Sequence, residues 1–124
     1  MSKQPVFLNL TQIRFPVTAI VSILHRVSGV ALFFAMPIIL YWLCLVTYSQ
    51  ESFAHMQILS QILWIKTIFF LMLVALIYHM TAGTRHLYHD FSHNHGLQIS
   101  RYSAWTTLGV SVILVVLTAW RLFG

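Results

Sequence analysis

The chain has 124 residues, of which 59% are hydrophobic and only 7% are charged. Soluble domains are about 25% charged and disordered chains are polar, so the composition excludes both classes. One cysteine excludes a disulfide scaffold. The formal charge is +5, but the basic residues are scattered singly, which makes nucleic acid a poor explanation. A single-domain integral membrane protein over residues 1–124 remains.

Three charge-free runs occupy residues 27–50, 67–84 and 102–120. A membrane-spanning helix needs about 20 apolar residues, so each run predicts one. We therefore expect an all-α bundle of three transmembrane helices at approximately 20–49, 59–89 and 101–123. Because proline is tolerated at the first helical position, the first helix could begin as early as Pro16. Pro37 predicts a kink inside it.

The distribution of cations predicts the orientation of the chain. The side that holds the N-terminus and the second loop carries five of them: Lys3, Arg14, Arg26, Arg85 and Arg101. The opposite side has only Lys66 and Arg121, with Glu51 in its loop. By the positive-inside rule the N-terminus is cytoplasmic and the C-terminus faces out. The polar stretch 1–14 does not predict a signal peptide.

One ionisable residue, His79, lies inside a predicted span. It is six residues before Arg85, or about 9 Å inside the cytoplasmic end at 1.5 Å per residue. Ionisable residues inside a membrane are candidates for function. Position alone is equally compatible with a histidine that bonds a neighbouring helix and holds a bundle together.

His86 follows His79 by seven residues, which returns to the same helix face within roughly 20°. Ala82 and Gly83 lie between them, and such small residues leave room for a flat macrocycle, although they equally favour close helix packing. A deep histidine with a second one at the interface favours haem. The candidates to meet the two haem propionates are His86 and Arg85 on helix two, and His25 and Arg26 on helix one. The arginines could equally be topology anchors at the headgroups.

Ser22 and Arg26 are four residues apart and share a helix face at the membrane boundary. A hydroxyl and a guanidinium in this arrangement could hold the oxygens of a quinone. Taken alone the pair is a weak signal, because this spacing is frequent by chance.

The segment FPVTAIVSILHRVSGVALF resembles the opening of the cytochrome b membrane anchor of bacterial succinate dehydrogenase, respiratory complex II. The family pattern S-x-x-H-R-x-S-G falls on Ser22, His25, Arg26, Ser28 and Gly29. A second pattern, H-x-x-x-G-x-R-H-x-x-x-D, falls on His79, Gly83, Arg85, His86 and Asp90. The resemblance covers nearly the whole chain.

The resemblance implies a role for each matching residue. His79 would be an axial ligand of haem b, and Ser22 and Arg26 would line the ubiquinone site. His25 and His86 would lie near the propionates, with Arg26 close to both cofactors. Arg26 would also stabilise negative charge that develops on the quinone during reduction.

The resemblance also implies partners. A flavoprotein oxidises succinate to fumarate, and an iron–sulfur protein carries the electrons to quinone. This chain would then anchor the assembly in the bacterial inner membrane without catalysing succinate oxidation itself.

A bis-histidine haem needs a second axial ligand. The charge-free runs of helices one and three contain no histidine, and their only sulfur ligands, Met36 and Cys44, lie mid-run or towards the outer side. If the haem is bis-histidine, the second ligand comes from another chain. This predicts a second small membrane anchor that shares the haem.

Three further histidines, His89, His93 and His95, follow the second motif, and we expect them in a solvated loop. Asp90 could accept a hydrogen bond from His86. Three alternatives stay open: a haem-free structural anchor, a small proton or cation channel gated by His79, and the anchor of a menaquinol-linked fumarate reductase.

Overall fold

The computed structural model of the protein describes residues 16–92 and 96–124. That part of the chain contains four α-helices and no strand: α1 is Val17–Tyr48, α2 is Gln50–Leu59, α3 is Leu63–Phe91 and α4 is Leu97–Phe123. Three of them, α1, α3 and α4, are long and apolar enough to cross a membrane. The predicted all-α class with three membrane-spanning helices is confirmed.

Helix α1 begins directly after Pro16, which occupies its N-cap position, and runs unbroken through Pro37. It therefore starts before residue 20, and His25 and Arg26 are helical. A helix can extend beyond its apolar run because its ends reach the polar interface, where charged side chains are solvated. The two residues consequently occupy fixed positions on α1.

The region after α1 forms the short helix α2, where a loop was expected. The Ser49 hydroxyl accepts a hydrogen bond from the Ser52 backbone N–H at 3.0 Å, and Glu51 lies in the first turn. Both features stabilise the start of a helix, because they satisfy a free donor and oppose the helix dipole. Since α2 continues to Leu59 and a turn follows, α3 begins only at Leu63.

Helix α3 packs between α1 and α4. Val21, Ala82 and Ala104, one from each spanning helix, are fully buried where the three helices meet. Small side chains here allow the backbones to approach closely. The Tyr78 hydroxyl donates to the Val21 carbonyl at 2.8 Å, and the Thr81 and Ser111 hydroxyls lie 2.6 Å apart.

The buried core is small, and most large apolar side chains are exposed on the outside of the bundle. Phe33 is 74% exposed and Trp64 is 79% exposed. In a membrane this surface contacts lipid tails or further helices rather than water.

Candidate functional site

Three histidines from two helices meet at the end of the bundle where α1 begins and α3 ends. The rings of His25 and His79 are stacked, with centroids 4.2 Å apart and planes 10° from parallel. The His86 ring lies 5.0 Å from that of His25. All three side chains are half-buried. The structure therefore brings His25, His79 and His86 together as one cluster along the α1–α3 edge.

Helix α1 fixes the orientation of the His79 ring. Its Nδ1 atom lies 3.1 Å from the His25 carbonyl oxygen and 3.0 Å from the Ser28 hydroxyl oxygen. The Ser28 hydroxyl itself donates to the same carbonyl at 2.8 Å. Because a carbonyl oxygen can only accept, we assign the ring proton to Nδ1. This tautomer leaves a lone pair on Nε2, as a metal-binding imidazole requires.

Two glycines let these rings lie directly against a helix backbone. A Cβ atom at Gly29 would lie 3.0 Å from Cε1 of His79, which is closer than side chains normally approach. A Cβ atom at Gly83 would lie 3.4 Å from Nε2 of His25. Sequence reasoning gave Ser28 and Gly29 no role, although both belong to the first motif. Their contacts with His79 depend on the register between α1 and α3, which the sequence does not give.

The small residues of α3 were predicted either to allow close helix packing or to leave room for a flat ligand. Ala82 is fully buried against Val21 and Ala104, so it serves helix packing. Gly83 faces His25 and serves the histidine cluster. Helix packing therefore accounts for Ala82, and the space beside the histidine cluster accounts for Gly83.

Ser22 and Arg26 lie on α1 on either side of His25 in sequence. Ser22 is half-buried and Arg26 is exposed. Four residues advance a helix by about 400°, so the two side chains project from neighbouring positions of the same face. The structure thus places the Ser22 hydroxyl and the exposed Arg26 guanidinium on the same helix as His25.

Arg85 does not join the cluster. Its side chain is only 9% exposed and points at α4, where Nε donates to the Ser103 hydroxyl at 3.1 Å and Nη2 donates to the Ser100 carbonyl at 3.3 Å. The prediction that Arg85 meets a propionate gains no support from this geometry. Six helical steps separate it from His79 and turn it roughly 120° away, a signal that the sequence already contained.

His89 lies in the last turn of α3 and not in a solvated loop. Its Nε2 atom lies 3.0 Å from the Ser103 hydroxyl, the group that also accepts from Arg85. The helix persists to Phe91 because its last turns remain paired with α4. His93 and His95 lie outside the described residues, and Asp90 is exposed at the end of α3.

Comparison with known proteins identifies the family of the chain. The family model described as succinate dehydrogenase/fumarate reductase transmembrane subunit matches residues 1–118. A succinate dehydrogenase cytochrome b556 subunit of Coxiella burnetii is 44% identical over 117 residues, covering 94% of each chain. The cytochrome b556 subunit of Rickettsia conorii is 33% identical, covering 94% of this chain and 90% of its own. The cytochrome b560 subunit of Reclinomonas americana is 29% identical, with 97% and 86% covered.

The predicted resemblance is thereby confirmed for nearly the full length of the chain. The three apolar helices agree with the transmembrane description of the matching family. The chain belongs to the succinate dehydrogenase/fumarate reductase transmembrane subunit family, as a multi-pass cytochrome b anchor of the inner membrane.

Proposed function

We propose that this chain binds haem b through Nε2 of His79 and shares it with a second small membrane anchor. The supporting observation is the pair of contacts from Nδ1 of His79 to the His25 carbonyl and the Ser28 hydroxyl. These contacts set the tautomer and hold the ring still, which raises its quality as an iron ligand. Bound haem supplies one-electron redox chemistry. The cytochrome names of the relatives support the same cofactor.

The second axial ligand comes from the partner anchor in this proposal. Although α1 does contain a histidine, His25 stacks on His79 with ring centroids 4.2 Å apart. Because the two rings are in direct contact, His25 would not hold the haem together with His79. The large exposed apolar surface supports a neighbouring helical subunit, because three helices alone bury little of it.

His25, His86 and Arg26 would meet the haem propionates. The three lie at one end of the bundle, and a cation or imidazole N–H there can donate a hydrogen bond to a carboxylate. Arg85 is left out of this set, because its guanidinium already donates to Ser100 and Ser103. By the positive-inside rule this end faces the cytoplasm.

Ser22 and Arg26 would hold ubiquinone. The Ser22 hydroxyl would donate to one quinone oxygen, and the Arg26 guanidinium would stabilise the negative charge that develops during reduction. Succinate is oxidised elsewhere, in catalytic subunits that assemble with a succinate dehydrogenase membrane subunit. These would be a flavoprotein and an iron–sulfur protein, which deliver electrons to this end of the bundle.

The absorbance spectrum of the purified complex tests the cofactor directly. A reduced-minus-oxidised difference spectrum with the bands of a b-type cytochrome is expected. A complex with no such bands would instead fit a haem-free anchor, in which His79 only holds the helices together.

Replacing Gly29 with alanine should weaken haem binding roughly tenfold. The new Cβ atom would lie 3.0 Å from Cε1 of His79, so the ring must shift, and such overpacking costs about 1–3 kcal/mol. Haem per complex, measured from the pyridine haemochrome spectrum, is the readout. Gly109→Ala is the matched control, because a Cβ atom there meets nothing within 4 Å. Full haem content in both variants would contradict the assigned His79 position.

Replacing Arg85 with methionine should lower the free energy of unfolding by about 1–3 kcal/mol, because hydrogen bonds from a charged donor to α4 are lost. Haem content should stay at the wild-type level. Thermal unfolding of the complex and its haem spectrum are measured together, with the exposed Arg101→Met variant as control. Loss of haem with unchanged thermal stability would instead indicate that Arg85 binds a haem propionate.

A further inference from the structure

We propose that a cavity at the opposite end of the bundle binds the phosphate headgroup of an anionic glycerophospholipid. The cavity has a volume of about 510 Å³ and lies among α1, the turn before α3, and α3 and α4 themselves. Both cations on this side of the predicted topology, Lys66 and Arg121, line it. This proposal is independent of the haem and quinone assignments.

In the part of the chain that the structure describes, neither cation forms an ion pair with an acidic side chain. The sequence has only two acidic side chains, Glu51 and Asp90. Asp90 is near the far end of α3, and Glu51 is exposed in the first turn of α2, outside the cavity lining. Within residues 16–92 and 96–124, the Lys66 Nζ atom donates a hydrogen bond to the Gln61 amide oxygen at 3.4 Å. Two cations that share one cavity therefore favour an anion from outside the chain.

Part of the cavity lining next to the two cations is apolar. Phe69 and Leu73 follow Lys66 by three and seven residues, so they continue down the same face of α3. The Phe69 ring packs edge-to-face on Trp42 of α1 with centroids 4.8 Å apart. Cations followed along α3 by apolar side chains fit a molecule with a phosphate at one end and a hydrocarbon chain at the other.

The charge balance selects the headgroup. A zwitterionic lipid would bring an ammonium group next to Lys66 and Arg121, and the cavity lining offers no carboxylate to receive it. A headgroup with net negative charge, such as that of phosphatidylglycerol, meets only attraction. A basic side chain near the membrane surface contributes about 1 kcal/mol to binding an anionic lipid, which corresponds to about fivefold in affinity.

Native mass spectrometry of the purified complex, titrated with phosphatidylglycerol or phosphatidylcholine, tests the proposal. The wild type should retain one more phosphatidylglycerol than the Lys66→Gln/Arg121→Gln double variant. Half-saturation for that lipid should shift about fivefold in each single variant and about thirtyfold in the double variant. Phosphatidylcholine retention should be the same in all. Arg101→Gln, which removes an exposed cation at the other end, should behave as wild type.

Three results would overturn the proposal. One is equal phosphatidylglycerol retention in the wild type and the double variant. Another is equal retention of phosphatidylcholine and phosphatidylglycerol by the wild type, which would mean that the cavity does not distinguish lipids by charge. The third is displacement of the lipid by inorganic phosphate alone, which would make the site a free-anion site. If the double variant fails to assemble, the single variants and the wild-type comparison of the two lipids decide the question.

Discussion

Replacing His79 with alanine is expected to remove haem from the complex, with haem per complex falling at least about tenfold. Loss of groups that merely orient a metal ligand costs about 10- to 100-fold in metal affinity, and loss of the ligand itself costs no less. The contacts of Nδ1 with α1 leave Nε2 as the atom available to iron. The measurement is the reduced-minus-oxidised absorbance spectrum of complexes purified through a tag on a catalytic subunit.

His55→Ala is the matched control, because that histidine is exposed on α2. It should leave the spectrum unchanged. A His79→Ala complex that assembles and keeps a normal b-type spectrum would remove His79 from the ligand position. Complex recovery by the tag separates loss of haem from failure to assemble.

Replacing Arg26 with alanine is expected to slow quinone reduction roughly 10- to 100-fold. A charge-assisted hydrogen bond to a developing anion contributes about 1.5–3 kcal/mol, and we propose that the exposed Arg26 guanidinium makes one. Succinate oxidation with an artificial dye should stay near the wild-type rate, because it bypasses the membrane site. Both rates are measured on the same preparation.

Two further variants sharpen this test. Arg26→Lys keeps the charge without the planar fork and should retain part of the quinone activity. Arg101→Ala removes an exposed cation from α4 and should leave both rates unchanged. Rates are compared per haem, because Arg26 is also proposed to meet a propionate. Wild-type quinone reduction in Arg26→Ala would refute the assignment of this residue to the quinone.

The spanning helices could be predicted because crossing a membrane requires a charge-free run of sufficient length, and such runs are visible in the sequence. The structure of the segment between the first two spans could not, because it depends on local bonds outside those runs. The Ser49 cap creates α2 where a loop was expected, and α3 therefore begins only at Leu63. Helix α4 likewise begins at Leu97, before the third run.

Within the site, the sequence predicted which residues share a face but not which helix that face meets. Periodicity placed His79 and His86 together, and both contact His25. The role of Ser28 depends on the register of α1 against α3, which no single-helix pattern contains. The direction of Arg85 could have been predicted, since its angular separation from His79 follows from counting residues.

The most direct test of the shared haem is the low-temperature electron paramagnetic resonance spectrum of the oxidised complex, purified through a tag on this chain. The proposal predicts one low-spin ferric haem per copy of the chain with the signature of two imidazole ligands, in preparations that also contain a second membrane anchor. A colourless complex, or a haem whose two axial imidazoles persist when this chain is purified without a partner, would contradict it.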